Sequence, residues 1–427
     1  MGVCGLLACA GPPRSRAWLE EEVKARTHFA LGTGLADGGI APGLSLDDGL
    51  SADEAVAVAL WRSPALHAEL TQLDAALASL DEANRPANPR LNNFLFPLDF
   101  RQLAVVLFIP LESLWQMPSR ISAATYELQA TAESLVQLVL DTQRTVRLAH
   151  TEVVLLEARV GVLQQAAEAW SDAVALADAR ASAGDIAPVD ADQIRVEQAL
   201  AEDLSQRAQH DVVMARERLS TLLGAPWERM PAVLSTHTPE PVGPLTSLQQ
   251  QALERRPELA AAAFSVNAAA ARADWERSRV FSIFLSIDGQ APVGSLVPSV
   301  APGVQAELPI FSQNQGGIGR ADAAVTRASH RYLATRLNVL QDVALAHAVL
   351  ERASISLVAA RRIVGLVEST RAASVRAFES GSESYLVVID AVRRATDAKL
   401  RVLEVEAELR RADAELIRAI GGVPHEK

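Results

Sequence analysis

Side chains that could carry out acid–base or metal chemistry are scattered along this 427-residue chain. Its eight histidines form no HxxxH pair, and none lies beside a carboxylate cluster of the kind that holds zinc. Single histidines on predicted helices are usually solvated. We therefore expect no catalytic residue, no metal ligand and no bound cofactor, and the sequence does not predict an enzyme.

Two glycine-containing segments resemble phosphate-binding loops only in part. Gly32–Gly39 lacks a third glycine at the position that a dinucleotide loop needs, and no predicted strand precedes it. Gly316–Gly319 follows a predicted strand but lacks the Lys-Ser/Thr of a phosphate loop. We interpret the first segment as a flexible linker and the second as a strand-to-helix corner.

The two cysteines, Cys4 and Cys9, both lie in the first ten residues, so the chain has no disulfide framework. The segment before Arg14 lacks the basic start and the length of a secretion signal, but it resembles the end of one. Leu6–Cys9 resembles a bacterial lipoprotein cleavage box, which would make Cys9 a lipidation site. The alternative is a mis-assigned start codon and an inert, buried thiol.

Composition and charge narrow the class of protein. Forty Lys and Arg against 52 Asp and Glu give a net charge of −12, which disfavours a nucleic-acid partner. Apolar residues make up 49% of the chain but aromatic residues only 4%, as in long, alanine-rich helices that pack closely. No run of about 18 uncharged apolar residues predicts a membrane helix, although membrane β-strands need only about 9 to 11 residues.

The chain contains an internal duplication, since four pairs of landmarks keep their order and nearly their spacing. The pairs are Pro64 and Pro257, Pro110 and Pro309, Gly184 and Gly381, and Gly224 and Gly421. Subtracting the residue numbers gives offsets of 193, 199, 197 and 197, in that order. The two halves are therefore expected to fold alike.

A heptad pattern marks the last helix of each half. In the second half, ten small or apolar residues recur in steps of three and four, and they are Val388, Ala391, Ala395, Ala398, Val402, Val405, Leu409, Ala412, Leu416 and Ala419. The positions 197 residues earlier are apolar except for Gln198 and Ser205. This pattern predicts a coiled-coil seam in both halves, and the alternative is an ordinary amphipathic core helix.

Each half is predicted to contain a helix, an extended segment, a long helix, a glycine turn and a return helix of about 35 residues. We divide the chain into an N-terminal segment (1–49), a first repeat (50–224), a linker in the equatorial region (225–246), a second repeat (247–422) and a tail (423–427). The first helices are expected at about 52–80 and 247–279, and the long helices at about 118–183 and 318–380.

Both extended segments favour β-hairpins, at 90–112 and 280–311, and seven of the ten phenylalanines lie in or beside them. Residues 281–288 and 303–308 alternate between apolar and mostly polar side chains, as strands of a membrane β-barrel do. The first hairpin is shorter and its second strand does not alternate. The alternative is a small soluble sheet.

The order of these motifs resembles the TolC-like outer-membrane efflux factors over roughly residues 50–422. The stretches that carry the resemblance are Leu50–Val56, Ala87–Leu91, Leu308–Phe311 with Gly316–Gly317, and the turns Ala183–Ile186 and Ser380–Glu383. Asn88-Pro89 and Arg26-Thr27 are more similar to the heavy-metal-efflux (CzcC-like) branch.

The resemblance implies a mainly α fold with a small β part: duplicated long α-helical hairpins form a coiled-coil α-barrel, and two β-hairpins give four strands to a trimeric 12-stranded outer-membrane β-barrel. Four strands cannot close a barrel alone, and open edges are not tolerated in lipid. The implied function is a passive duct in the bacterial outer membrane, with a large periplasmic part, that exports small molecules or metal ions. Its implied partners are a periplasmic adaptor and an inner-membrane pump of the RND type.

The resemblance also implies site residues. The turns at Gly184, Asp185, Gly381 and Ser382 would form the periplasmic tip where the adaptor docks, and Asp190, Glu383 and Asp390 would line the channel constriction. A three-fold ring of Asp390 would favour cations. The alternative is that Asp190 and Asp390 each sit in the first turn of a helix, where the helix dipole favours a carboxylate.

The sequence departs from the family at this tip. Glu383 stands where some members have a basic residue, Phe378 where they have a tyrosine, and Val387 where they have an acid. These differences put in doubt the salt bridges and hydrogen bonds that keep some members shut. The second function considered is a coiled-coil scaffold without a channel, which the short first hairpin would favour.

Overall fold

A computed structural model describes residues 14–32, 44, 46, 48–95, 102–224, 231–234, 243–292, 299–380 and 382–422. Long helices dominate it, together with one four-stranded antiparallel sheet. The predicted fold class, mainly α with a small β part, is confirmed. Cys9 and Gly381, to which roles were assigned, lie outside the described residues, as does most of the predicted linker.

The described residues contain nine helices and four strands, and the order of these elements in the first half recurs in the second half. They are α1 (Arg16–Thr27), α2 (Ala52–Arg62), α3 (Pro64–Ala83), β1 (Arg90–Leu95), β2 (Gln102–Pro110), α4 (Ser113–Ala183), α5 (Pro188–Leu222), α6 (Leu245–Arg255), α7 (Pro257–Ser278), β3 (Ile283–Pro292), β4 (Ser299–Ala306), α8 (Gln315–Glu379) and α9 (Tyr385–Ala419). The series from α2 to α5 matches the series from α6 to α9, element by element.

The first helix of each half is broken, which the sequence analysis did not anticipate. Ser63 and Arg256 each precede a proline and have extended ψ angles of 112° and 119°. A proline ring disfavours the helical conformation in the residue before it. One predicted helix is therefore two in each half, α2 with α3 and α6 with α7.

The predicted seams are buried in both halves. Eight of the ten heptad positions in α9 are buried, and Ala398 and Val402 are half-buried. In α5 even Ser205, one of the two polar exceptions, is buried. The return helices α5 and α9 have 35 residues each, as predicted.

The chain forms two compact units built from interleaved segments. The sheet unit takes its described residues from the ranges up to Leu19, Glu69–Gln137 and Pro257–Asn338, and it contains all four strands. The helical unit takes them from Glu20–Ala68, Leu138–Arg256 and Val339–Lys427, and it contains α5, α9 and the C-terminal parts of α4 and α8.

The sheet has the order β1-β2-β3-β4, so the two hairpins are neighbours. Central strands β2 and β3 pair antiparallel from Gln102 opposite Pro292 to Pro110 opposite Phe284. Outer strands β1 and β4 each pair with one neighbour in the chain. Each therefore presents a row of backbone groups on its outer edge.

Helix α8 is the one described helix long and apolar enough, by length and composition alone, to cross a membrane. Its best 18-residue window has a mean hydropathy of 1.5, and a third of that window is buried. Val343, Leu350 and Leu357 of α8 pack in the core cluster with α9, whereas Leu345, Ile355 and Val358 are exposed. This stretch of α8 was not recognised from the sequence, because a membrane helix was expected to need about 18 apolar residues without any charged residue among them.

The N-terminal segment contains α1, a helix that was not predicted from the sequence. Leu19, Val23 and Thr27 of α1 are buried. Arg26 donates hydrogen bonds to the carbonyls of Arg255 and Gly421, at the C-terminal ends of α6 and α9. A cation is favourable there because the last carbonyls of a helix lack partners within it.

Gly32 has a packing role that replaces the linker interpretation at that position. A Cβ atom on it would lie 2.2 Å from the carbonyl oxygen of Trp61 in α2. The glycine is therefore required by close approach of two backbones rather than by a phosphate.

The start of α2 is held by a buried histidine of α4. The carbonyl of Leu50 accepts the backbone N–H of Leu234 and lies 2.9 Å from Nε2 of His150. His150 is buried, and the loss of hydration lowers its pKa. In the neutral ring, Nε2–H donates to the Leu50 carbonyl.

We expect this histidine to make the fold acid-sensitive. Because the pKa is lowered in the folded state, its contribution to stability is complete above about pH 6.5 and falls as the pH drops toward the folded pKa. Thermal midpoints measured from about pH 8 to about pH 5 should fall more steeply for the native chain than for His150→Gln. His210→Gln, which changes an exposed histidine, is the control. Equal slopes for the native chain and His150→Gln would contradict the expectation.

Candidate functional site: the paired helical turns

The turn between α4 and α5 is a glycine-dependent helix end. Gly184 has φ of +82°, and its N–H donates to Ala181 O at 3.1 Å, while Asp185 N–H donates to Arg180 O at 2.9 Å. These two bonds form a Schellman motif, in which glycine avoids the steric cost of a left-handed conformation. In the turn between α8 and α9, Ser382 N–H makes the corresponding bond to Ala377 O at 3.0 Å.

Arg180 joins the two turns. Its Nη2 donates to Phe378 O at 2.8 Å and Glu379 O at 3.4 Å, at the C-terminal end of α8. Its guanidinium carbon lies 4.2 Å from the centroid of the buried Phe378 ring. A cation in this position satisfies helix-end carbonyls and contacts an aromatic face at once. The tie between the hairpins therefore needs no tyrosine hydroxyl.

A second tie joins the return helices. Arg393 of α9 pairs with both carboxylate oxygens of Glu197 in α5, with Nε to Oε2 at 3.0 Å. Hydrogen bonding to Glu197 raises the pKa of the Arg393 guanidinium. Arg393 is exposed, but the two-point geometry fixes the approach of the helices better than a single contact would.

All four helix ends share one apolar cluster behind the turns. Its buried members are Trp170, Ala177, Ala191, Ile194, Ala201, Phe378, Val388 and Val392. We call the two turns, the Arg180 and Arg393 ties and this cluster the tip. The sequence analysis identified the turns but missed both ties, whose only signal was an arginine in the last turn of α4 and a Glu–Arg pair 196 positions apart.

The predicted constriction residues differ in their surroundings. Asp190 is the third residue of α5 and half-buried, in the first turn as the dipole alternative requires. Asp390 is the sixth residue of α9, so the first-turn explanation is wrong for it. Its Oδ2 lies 2.9 Å from Nε of Arg394, and both side chains are exposed. Glu383, Asp185 and Ser382 are exposed in the turns.

Arginines pair with two carboxylates at the tip, one of which is the predicted constriction residue Asp390. Arg394 pairs with Asp390, and Arg393 pairs with Glu197. The negative potential that a ring of aspartates would create is therefore reduced locally. Among the residues that the structure describes, no three His, Cys, Asp or Glu side chains are grouped so as to hold a metal ion.

Farther from the tip, ion pairs define the order of the helices in the helical unit. The pairs are Arg216–Glu157 between α5 and α4, Arg411–Glu152 between α9 and α4, and Arg361–Glu406 between α8 and α9. In this stretch the pairs connect the helices in the series α5-α4-α9-α8, with α5 and α8 at its two ends. Both outer helices expose large apolar side chains, which are Leu200, Leu204, Val213 and Met214 on α5 and Leu345, Ile355, Val358 and Leu366 on α8. We call these two surfaces the outer flanks.

Comparison with known proteins agrees with this architecture. Residues 248–422 match the family described as outer membrane efflux protein. The cobalt-zinc-cadmium resistance protein CzcC of Cupriavidus metallidurans is 27% identical over 377 residues, which cover 87% of this chain and 90% of CzcC. The predicted resemblance to outer-membrane efflux factors is confirmed.

Solved structures share the fold. CusC, a protein that forms a transmembrane channel, superposes with a TM-score of 0.75 at 18% identity, and the match covers 87% of this chain and 92% of the CusC chain. The outer membrane protein VceC of Vibrio cholerae superposes with a TM-score of 0.74 at 18% identity, covering 87% and 96%.

We expect Arg180 to hold the two hairpin ends together without dominating global stability. Arg180→Gln removes the cation–ring contact, worth about 0.5–1 kcal/mol, so local opening should increase about twofold to fivefold. Amide hydrogen exchange of residues 375–380 and 182–186 is the measurement. The control is Arg195→Gln, which removes exposed pairs with Asp178 and Asp192 inside one hairpin. Equal exchange in both variants would show that Arg180 does not tie the hairpins.

Proposed function

We propose that this chain, a member of the TolC-like outer-membrane efflux family, is the outer-membrane channel component of a tripartite efflux system. The observation that carries the proposal is a four-stranded sheet with two edge strands, connected to two long helical hairpins whose seams are buried. A chain of this kind can build a membrane-spanning wall and a helical duct, but only together with other copies of itself.

The open edges require further copies of the chain, and the resemblance to the efflux family favours three copies. Every backbone group within lipid must be hydrogen-bonded, so β1 and β4 require partners there. If β4 of one chain pairs with β1 of the next, three chains close a 12-stranded barrel. The outer flanks support the same arrangement, because the apolar side chains of α5 and α8 would then cover each other between neighbouring chains.

In this assembly the tip would be the periplasmic end of the duct. We propose that the turns at Gly184, Asp185, Gly381 and Ser382 contact a periplasmic adaptor. Asp190, Glu383 and Asp390 would narrow the channel. An inner-membrane pump, which we propose to be of the RND type, would supply the energy, and the duct would conduct passively.

The similarity to CzcC favours metal ions as the cargo. CzcC is a cobalt-zinc-cadmium resistance protein, and its similarity extends over most of both chains. A duct needs no resident metal site to pass a cation, because selection belongs to the pump. A negative constriction would favour cations, and Arg394 would moderate that preference. We further propose that Cys9 is lipid-modified and anchors the chain in the outer membrane.

Conductance across a planar bilayer tests the duct and its constriction. The native chain should form channels with a preference for cations, and Asp390→Asn should lower this preference because it removes a carboxylate and releases Arg394. Asp397→Asn removes the same charge from an exposed position two turns along α9 and is the control. A native chain that inserts without conducting would refute the channel, and equal selectivity in both variants would refute the role of Asp390.

A further inference from the structure

A groove lined by small side chains runs along α7 and α8 in the sheet unit. It consists of two recesses of about 610 Å³ and about 310 Å³, which share Ser265 and Ala324. Seven alanines of α4, α7 and α8 line it, so little side-chain volume fills the space. From Gly317 to Thr335 the groove follows about five turns of α8, or about 27 Å at about 1.5 Å per residue. It is therefore elongated rather than compact.

Arginine side chains line both recesses of this groove. Arg272 of α7 and Arg320 of α8 line the larger recess, and Arg327 and Arg331 of α8 line the smaller one. The three arginines of α8 are seven and four residues apart, so they lie on one side of the helix, with gaps of about 10 Å and about 6 Å along its axis. We call this feature the arginine groove. It carries a row of positive charge in a chain whose net charge is −12.

The two acidic side chains of the arginine groove already have partners. Glu127 and Glu276 both line the larger recess. Glu127 of α4 pairs with Arg272. Glu276 accepts hydrogen bonds from Asn314 Nδ2 at 2.8 Å and from Arg279 Nη1 at 3.0 Å. Neither carboxylate is therefore left to form an ion pair with the arginines of α8.

The arginines of α8 that line the groove form no ion pair with the residues that the structure describes. Arg320 interacts with Glu276 through charge alone. Arg327 and Arg331 line the recess that contains no acidic side chain. A cleft lined by charge of one sign concentrates the electric field and attracts counter-ions. The arginine groove is therefore suited to an anionic ligand.

The N-terminal segment packs elsewhere on the same helices. Arg14 pairs with Glu133 of α4, and its guanidinium carbon lies 4.8 Å from the centroid of the Phe264 ring of α7. Neither Glu133 nor Phe264 lines the groove. The contacts of Arg14 therefore leave the arginine groove accessible.

The apolar side of this part of α8 is also separate from the groove. Its large exposed side chains are Leu333 and Leu337, two and six residues after Arg331. At about 100° per residue they lie about 160° and about 120° from Arg331 around the helix axis. A neighbouring chain that packs on these leucines would leave the arginines uncovered, so a second copy of the chain is a poorer occupant than a small anion.

We propose that the arginine groove binds a linear polyanion with closely spaced phosphate groups. A guanidinium binds phosphate oxygens through two parallel hydrogen bonds. Because the gaps between the arginines are unequal, a chain with a charge on every unit can contact all three, whereas a compact anion cannot. A lipid headgroup would place its phosphate at one end only, so the length of the groove favours a polyanion from solution. This site goes beyond the proposed duct and does not depend on conduction.

Calorimetric titration of the full chain in detergent with inorganic polyphosphate tests the proposal. At low ionic strength, where charge attraction is least screened, polyphosphate long enough to span the groove should bind at one site per protein chain. Pyrophosphate should bind about tenfold more weakly because it reaches fewer arginines. The double variant Arg327→Gln/Arg331→Gln should weaken the binding of the long polyphosphate about tenfold.

The matched control is Arg336→Gln/Arg362→Gln. It removes two exposed arginines of the same helix that do not line the groove, and its affinity should stay within about twofold of that of the native chain. Equal weakening in both double variants would refute the site, because the attraction would then come from overall charge.

Two further results would overturn the proposal. A native chain that does not bind the long polyphosphate has no such site. If phosphatidylglycerol added to the detergent displaces the polyphosphate, the arginines bind a lipid headgroup instead of a polyanion from solution. The conductance of the native chain, measured without polyphosphate, tests the channel separately, so the two proposals fail independently.

Discussion

The outer edges of β1 and β4, which pair with no further strand in the part of the chain that the structure describes, are the constraint on which the rest of this structure depends. In water, a strand edge can bond to solvent, but in hydrocarbon each unpaired N–H and C=O costs several kcal/mol. A sheet of four strands cannot curve enough to join its own edges. This chain therefore cannot insert into a membrane unless it also associates with other copies of itself. A single chain in water would have no need for the exposed apolar side chains of its strands.

In the helical unit, small side chains and arginine pairs hold the long helices together. Alanine-rich seams let α5 and α9 approach their long partners closely, since small side chains keep the helix axes near each other. Long antiparallel helices then need few specific contacts along their length, and arginine pairs supply register between neighbours. At the tip, where the helices end, Arg180 and Arg393 join one hairpin to the other. The outer flanks remain apolar, as expected of surfaces that meet another chain.

Much of this fold could be predicted from the sequence, because its signals are periodic or repeated. The 3.5-residue period located the seams of α5 and α9, and the duplicated glycines located both turns. Most features that were not predicted from the sequence depend on contacts between residues far apart in the chain. Helix α1 is stabilised by the hydrogen bonds from Arg26 to carbonyls at the ends of α6 and α9. No local sequence pattern predicts such a contact. The breaks before Pro64 and Pro257 carried a local signal, the proline itself, which the helical periodicity concealed. At the tip, the missing tyrosine suggested a missing tie, yet the Phe378 ring and the α8 carbonyls accept Arg180 instead.

The number of chains in the particle extracted from the outer membrane tests the central claim most directly. Native mass spectrometry of the full chain in detergent, expressed with an export signal that delivers it to the outer membrane, gives this number without any substitution. If neighbouring copies close the edges of β1 and β4 in a 12-stranded barrel, the particle contains three chains. A stable particle of one chain would contradict the account, because the strand edges would then remain open, and a particle of two chains would contradict the 12-stranded barrel.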